Sequence, residues 1–268
     1  MTSSSPVASP RPSAADAASR AAILVRVAVH ALMQPPRAAL AQLVAGKSDA
    51  ELAEATTMAD AKREEFWSAL GPLRDLLSPW ELEFSKASFV TMTADQQLTA
   101  MWRAEAFQAL AWALGTIDAL PPYGEQAGQD ILRGFAPDGL RTYIERAALR
   151  PPAEIDRART IAEMWHWRSR TRELVEMNRP FPDAPQMRKA GLASWDDVVR
   201  FSARRSAEEG LIPTAIDDDF PVFGKAYRDL TAEEWSPVRS MTVERHVALN
   251  WLCGYAPGNR WDETPTET

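Results

Sequence analysis

The 268-residue sequence has one cysteine, Cys253, so it can form no internal disulfide, and a reducing, cytoplasmic compartment is expected. It has 12 glycines, too few for a turn-dense β architecture. Valine and isoleucine together occur only 21 times, so the β-branched residues that favour strands are scarce. No stretch approaches the roughly 20 apolar residues needed to span a bilayer. The longest candidate, residues 21–33, is short and is interrupted by Arg26 and His30. It also makes a poor signal peptide, because a long lead precedes it and Arg20 abuts it. Basic clusters are missing as well. With 30 basic against 37 acidic residues and a net charge of −7, sequence-independent binding to nucleic-acid phosphates is not expected. Nor is a membrane partner. There is no Gly-x-Gly, no phosphate-cradling loop ending in Lys-Ser or Lys-Thr, no Gly-x-Ser-x-Gly elbow and no His-Glu-x-x-His. The strongest positive arguments for an enzyme are therefore lacking.

What is abundant is alanine, at 45 residues, the best helix former. Arginine supplies 25 of the 30 basic residues, and there are ten tryptophans and 20 prolines. Residues 1–19 are rich in Ser, Pro and Ala without apolar periodicity, and read as a disordered leader. A first helix is expected from about Arg20 to Met33, before Pro35-Pro36. Ser48 with Glu51, Ser78 with Glu81 and Thr93 with Gln96 each carry the pattern in which two side chains satisfy free amides of a first helical turn. Further helices are expected from Pro152 to before Pro180, from Ser194 toward Gly210, from Thr231 to before Pro237, and from Val238 to Cys253. Residues 211–230 are the least regular. Asp217, Asp218 and Asp219 there read as a solvated loop, with ligation of a hard cation such as calcium as the alternative. Together these features predict an all-α, single-domain bundle of eight to ten helices over residues 20–268.

Helical projection at about 100° per residue puts several charges among apolar neighbours. On the helix beginning near Thr93, Arg103 and Glu105 both fall within the apolar arc swept by Leu98, Trp102, Phe107 and Leu110. They point nearly opposite ways, so each must find a partner on another helix. Glu244 and Arg245 are similarly placed on the last helix, where Arg239, His246 and Asn250 form a narrow polar strip. Arg157 and Arg168 fall within the stripe of the helix from Pro152, while His166 projects toward its wetter face. Unpaired buried charge costs several kcal/mol, which predicts an internal network joining Arg103, Glu105, Arg168, Glu244 and Arg245. Three positive and two negative charges leave room for a further acid, Asp262 or Glu263, or for a bound carboxylate or phosphate. On this reading Arg103→Ala costs ~3–5 kcal/mol of stability.

Trp102-Arg103-Ala104-Glu105-Ala106 with Leu110-Ala111-Trp112-Ala113-Leu114-Gly115 resembles the signature of a bacterial family known as domain of unknown function 4272. His166-Trp167-Arg168, the run from Glu244 to Trp251, and Trp261-Asp262 resemble further blocks of that family in the same order. Its pattern favours Asp-Thr at the end, where this chain has Glu267-Thr268. The family has no established activity, so the resemblance implies boundaries and no catalytic assignment.

Glu163-Met164-Trp165-His166 has the Glu-x-x-His spacing of di-iron bundles, but neither His30 nor His246 supplies the second pair those sites need. No metal site and no cofactor is expected. Trp165 and Trp167 read as packing residues, with stacking on a ring-shaped ligand as the alternative. The expected function is a binding or interaction module whose Arg–Glu network takes a small anion or whose surface takes a protein partner. The competing reading is an enzyme acting on a small anionic substrate, with His246 as acid or base beside Asn250. A purely structural network, with every guanidinium already on a carboxylate, is the third.

Overall fold

In the computed structural model, the described residues are 9–35, 37–88, 91–135, 139–182 and 184–266. Helix α1 (Ala14–Met33) opens on Ser13, whose side chain and that of Asp16 cap each other's backbone amides. Ala17, Ala18, Ala21, Ala28 and Ala31 are fully buried, as are Ile23, Leu24 and Val27, so this helix is enclosed on most sides. It begins six residues before the expected start at Arg20. Ala17 and Ala18, read as part of a leader, are packing positions, where small side chains let neighbouring helices approach closely. Residues 9–11 are also tied down, since the Ser9 amide donates to the Gly254 carbonyl at 3.0 Å. The expectation of a disordered leader therefore fails for residues 9–19, and its first eight residues lie outside the described ones.

The chain continues through α2 (Arg37–Val44), α3 (Asp49–Ser68), α4 (Pro79–Lys86), α5 (Ala94–Ala113), α6 (Gln129–Gly134), α7 (Leu140–Glu145), α8 (Pro152–Glu176), α9 (Pro185–Lys189), α10 (Trp195–Glu208) and α11 (Ala232–Leu252). The capping pairs at Ser48, Ser78 and Thr93 open α3, α4 and α5 as expected. That makes eleven α-helices among the described residues, beyond the expected eight to ten, because α6, α7 and α9 are too short to show periodicity. The all-α class holds, with one small exception. Pro221–Val222 (β1) pairs antiparallel with Lys225–Ala226 (β2) across Phe223-Gly224, both at positive φ as a two-residue hairpin turn requires.

Pro237 does not end a helix. α11 opens on Thr231 and runs through the proline. A proline in the second turn withholds only the amide that would reach the carbonyl of Glu233, a residue exposed to water. The principal packing runs α1 on α5, α5 on α11 and α11 on α8. On α5 the buried side includes Ala100, Ala104, Phe107, Ala111 and Glu105, while Leu98 and Met101 are exposed. The real interface is thus turned toward the small residues and away from the bulky end of the projected arc.

Candidate functional site

Of the charges singled out on α5, α8 and α11, Arg103, Glu105, Arg168, Glu244 and Arg245 are buried or nearly so and each meets an opposite charge. They form three separate pairs, not one network. Arg157 is instead exposed and falls outside the apolar stripe expected for it. Arg103 Nη1 donates to both oxygens of Glu244, at 3.1 and 3.0 Å, and its guanidinium lies 5.4 Å from the Trp80 ring centroid. Burial raises the Glu244 pKa above its ordinary value, while Arg103 opposes the shift. Arg245 Nε donates to Glu105 Oε2 at 2.9 Å, and Nη2 lies 2.9 Å from the same oxygen. These side chains are only 1% and 2% exposed, so water contributes nothing to their neutralisation.

Arg168 lies outside both pairs. Its Nε and Nη2 donate to Asp219 at 2.6 and 2.7 Å, a two-pronged contact suited to the planar guanidinium. Asp219 also accepts from the amides of Phe220 and Arg228 and is fully buried. The acidic triplet is therefore not simply a solvated loop. Asp218 pairs with Arg204 on the surface, and Asp219 is a core ion. Among the described residues no group of three or more His, Cys, Asp or Glu side chains could hold a metal ion. Asp262 is not part of the ion pairs either. It accepts from the Trp80 amide at 3.2 Å, at the start of α4. One buried pair had no signal in the projection: Arg20 Nη1 donates to Glu81 at 2.8 and 2.6 Å. Arg20 was placed at a helix start, and only the true start at Ala14 turns it inward.

Arg245 does more than neutralise Glu105. Its Nη1 donates to the Pro121 carbonyl at 2.7 Å and its Nη2 to that of Glu125 at 2.8 Å, while the guanidinium lies 4.9 Å from the Tyr123 ring centroid. Glu105 Oε1 accepts from the Ala127 amide at 2.6 Å. The pair thus fixes the segment 121–127 from both ends. Tyr123 in turn stacks on Trp165, with centroids 4.8 Å apart and planes 19° apart. That segment forms one wall of an open cavity of about 660 Å³, completed by Trp112, Ile161, Trp165, Val222 and Phe223. At its edge Arg157 uses Nη2 on the carbonyls of Gly210 and Glu209, and its remaining donors have no partner among the described residues.

The polar strip of α11 faces α8 and is matched step by step. Asn250 accepts from Arg159 Nε at 2.9 Å and donates to the Pro265 carbonyl at 2.7 Å. His246 Nδ1 lies 2.9 Å from His166 Nδ1, and Arg239 pairs with Glu173. One of the two facing imidazole nitrogens must carry the proton and the other accept it. Burial lowers both pKa values, to about 4 for His166 and about 3 for His246, so both rings are neutral near pH 7. His246 is fully buried beside Asn250 and does not line the cavity. His166 has Arg170 and Glu173 beside it, but it is buried against α11, so the expectation that it faces water fails.

The family model described as Domain of unknown function (DUF4272) matches residues 4–186. That range includes the motifs around Arg103 and His166 and stops short of those around Glu244 and Trp261. No curated protein and no solved structure matches the chain. Among the described residues no helix is long and apolar enough to cross a membrane.

Proposed function

We propose that this chain, which belongs to the DUF4272 family, is a binding module for a small, flat, largely apolar molecule carrying an anionic group. One observation carries the reading: the cavity beside Tyr123 and Trp165, about 660 Å³, has an aromatic and aliphatic wall, with Arg150, Arg157, Asp118 and Glu154 also in its lining. Cavities of roughly 300–1,000 Å³ with such walls suit drug-sized ligands. The buried arginines are not the ligand's partners, because Arg103, Arg168 and Arg245 already hold carboxylates. The anionic group is assigned to Arg157, whose Nε and Nη1 have no partner among the described residues. The Glu105–Arg245 pair serves by holding the wall segment in place, so that little ordering remains to be done on binding. Catalysis through His246 has no support in this geometry, since that ring reaches no open space.

The test is a thermal-shift and calorimetric screen of aromatic and aliphatic carboxylic acids. Aromatic acids should stabilise the fold saturably, as binding to the native state requires. Phe223→Asp and Arg157→Gln should each weaken that stabilisation without unfolding the protein, because Phe223 is half exposed and at a positive φ that aspartate tolerates. If aliphatic and aromatic acids act alike, or if neither variant changes the response, the cavity is not the binding site.

A further inference from the structure

On α8, His166, Ser169, Arg170 and Glu173 are spaced at i, i+3, i+4 and i+7 and so share one face. With Arg239, Val243 and Thr266 they line a second cavity of about 470 Å³, which shares no residue with the first. Its chemistry is the opposite of the aromatic one. Glu173 holds two guanidiniums, taking Arg170 Nη1 on one oxygen and Arg239 Nε on the other. A single carboxylate cannot neutralise both, so this group keeps a net positive charge. Among the described residues, Arg170 Nε and Nη2 and both terminal nitrogens of Arg239 have no partner, and the two side chains are 48% and 50% exposed, within reach of a ligand. Ser169 is buried, and its hydroxyl faces that of Tyr227. His166 spends Nδ1 on His246, which leaves Nε2 for whatever occupies the cavity.

Unused donors therefore converge from two helices, while the one carboxylate present is fully engaged. A cation would be repelled by the guanidiniums, and an apolar group would strand the donors. A tetrahedral oxyanion offers acceptors in several directions at once, and guanidinium forks match its oxygens. We infer that this cavity binds a phosphate group, free or carried on a small organic molecule, through Arg170 and Arg239, with His166 donating from Nε2. In that state His246 Nδ1 carries the proton between the two rings and His166 Nδ1 accepts it.

Inorganic phosphate and methyl phosphate, titrated separately into the full chain, test the inference. Binding is read by calorimetry and by the imidazole resonances of His166, assigned with His166→Gln. The expected result is a saturable shift that the double variant Arg170→Gln/Arg239→Gln weakens at least ~10-fold, as loss of charge-assisted contacts implies. Arg141→Gln, which removes an exposed guanidinium paired with Glu145, should leave it unchanged. Tighter binding of methyl phosphate identifies an organic phosphate as the ligand, and equal or weaker binding identifies the free anion. The double variant changes half-exposed side chains, and unaltered tryptophan fluorescence verifies its fold. The site is refuted if neither compound gives saturation, if the double variant binds like the parent, or if sodium chloride at equal ionic strength reproduces the shift. Such a failure leaves the aromatic cavity untouched, since the two are lined by different residues.

Discussion

Among the side chains of this protein, arginine holds the interior together by different means at different positions. Arg245 is 1% exposed and satisfies a carboxylate, several backbone carbonyls and an aromatic face, whereas Arg103 is 15% exposed and meets one carboxylate and the Trp80 ring. Truncation strands the partner charge in each case, but water can reach Glu244 and cannot reach Glu105. Arg245→Ala should therefore cost ~3–5 kcal/mol and Arg103→Ala only ~1–3 kcal/mol, which revises the cost expected for Arg103 from sequence alone. Arg245→Lys should behave more like the alanine variant than like the parent. A lysine ammonium keeps the charge but cannot span Glu105, Pro121 and Glu125 with a rigid fork. Denaturant unfolding measures each difference, and equal costs for Arg245→Ala and Arg103→Ala would contradict the burial argument.

At the scale of the elements, the segment before α1 and the end of α11 are joined through a glycine. Gly254 sits just past α11 at φ +80°, and a Cβ there would lie 2.4 Å from the Ser9 carbonyl oxygen. Both the left-handed backbone and the backbone approach exclude other residues. Gly254→Ala should cost at least ~1–2 kcal/mol from the conformation alone and should release residues 9–13. Hydrogen exchange would then show lost protection at the start of α1, and unchanged exchange there would disprove the joint. This element also shows what the sequence could and could not reveal. Capping pairs and prolines marked the starts of α3, α4, α5 and α8, because those signals act within one turn. The charges on α5, α8 and α11 were legible as buried because they interrupt an apolar surface. Their partners were not. Asp219 lies in an irregular loop, and pairing Arg168 with it instead of Glu105 depends on how that loop folds across α8. The start of α1 was missed because alanine and serine make disordered and close-packed segments look alike until the neighbouring helix is known. The cavity walls at 121–125 and 221–223 come from loop segments without periodicity, so no pattern announced them.

Across the whole molecule, the ion pairs tie the family-matched region to the remainder of the chain. Arg103, Glu105 and Arg168 lie within residues 4–186, and their partners Glu244, Arg245 and Asp219 all lie beyond it. The packing follows the same plan, since α11 lies against both α5 and α8, and its Ala248, Leu249 and Trp251 share one core with Phe107 and Leu110. A fragment ending at residue 186 would thus leave three ions unpaired in apolar surroundings and expose the face that α11 covers. Each unpaired ion costs several kcal/mol, and together they approach the whole stability of a typical domain, ~5–15 kcal/mol. Residues 1–186 alone should therefore show no cooperative thermal transition and should expose hydrophobic surface to a dye. Adding residues 187–268 as a separate chain should restore a single transition, because the missing partners would be supplied. A fragment 1–186 that melts cooperatively by itself would mean that the matched region is an autonomous domain and that the pairs to α11 are dispensable.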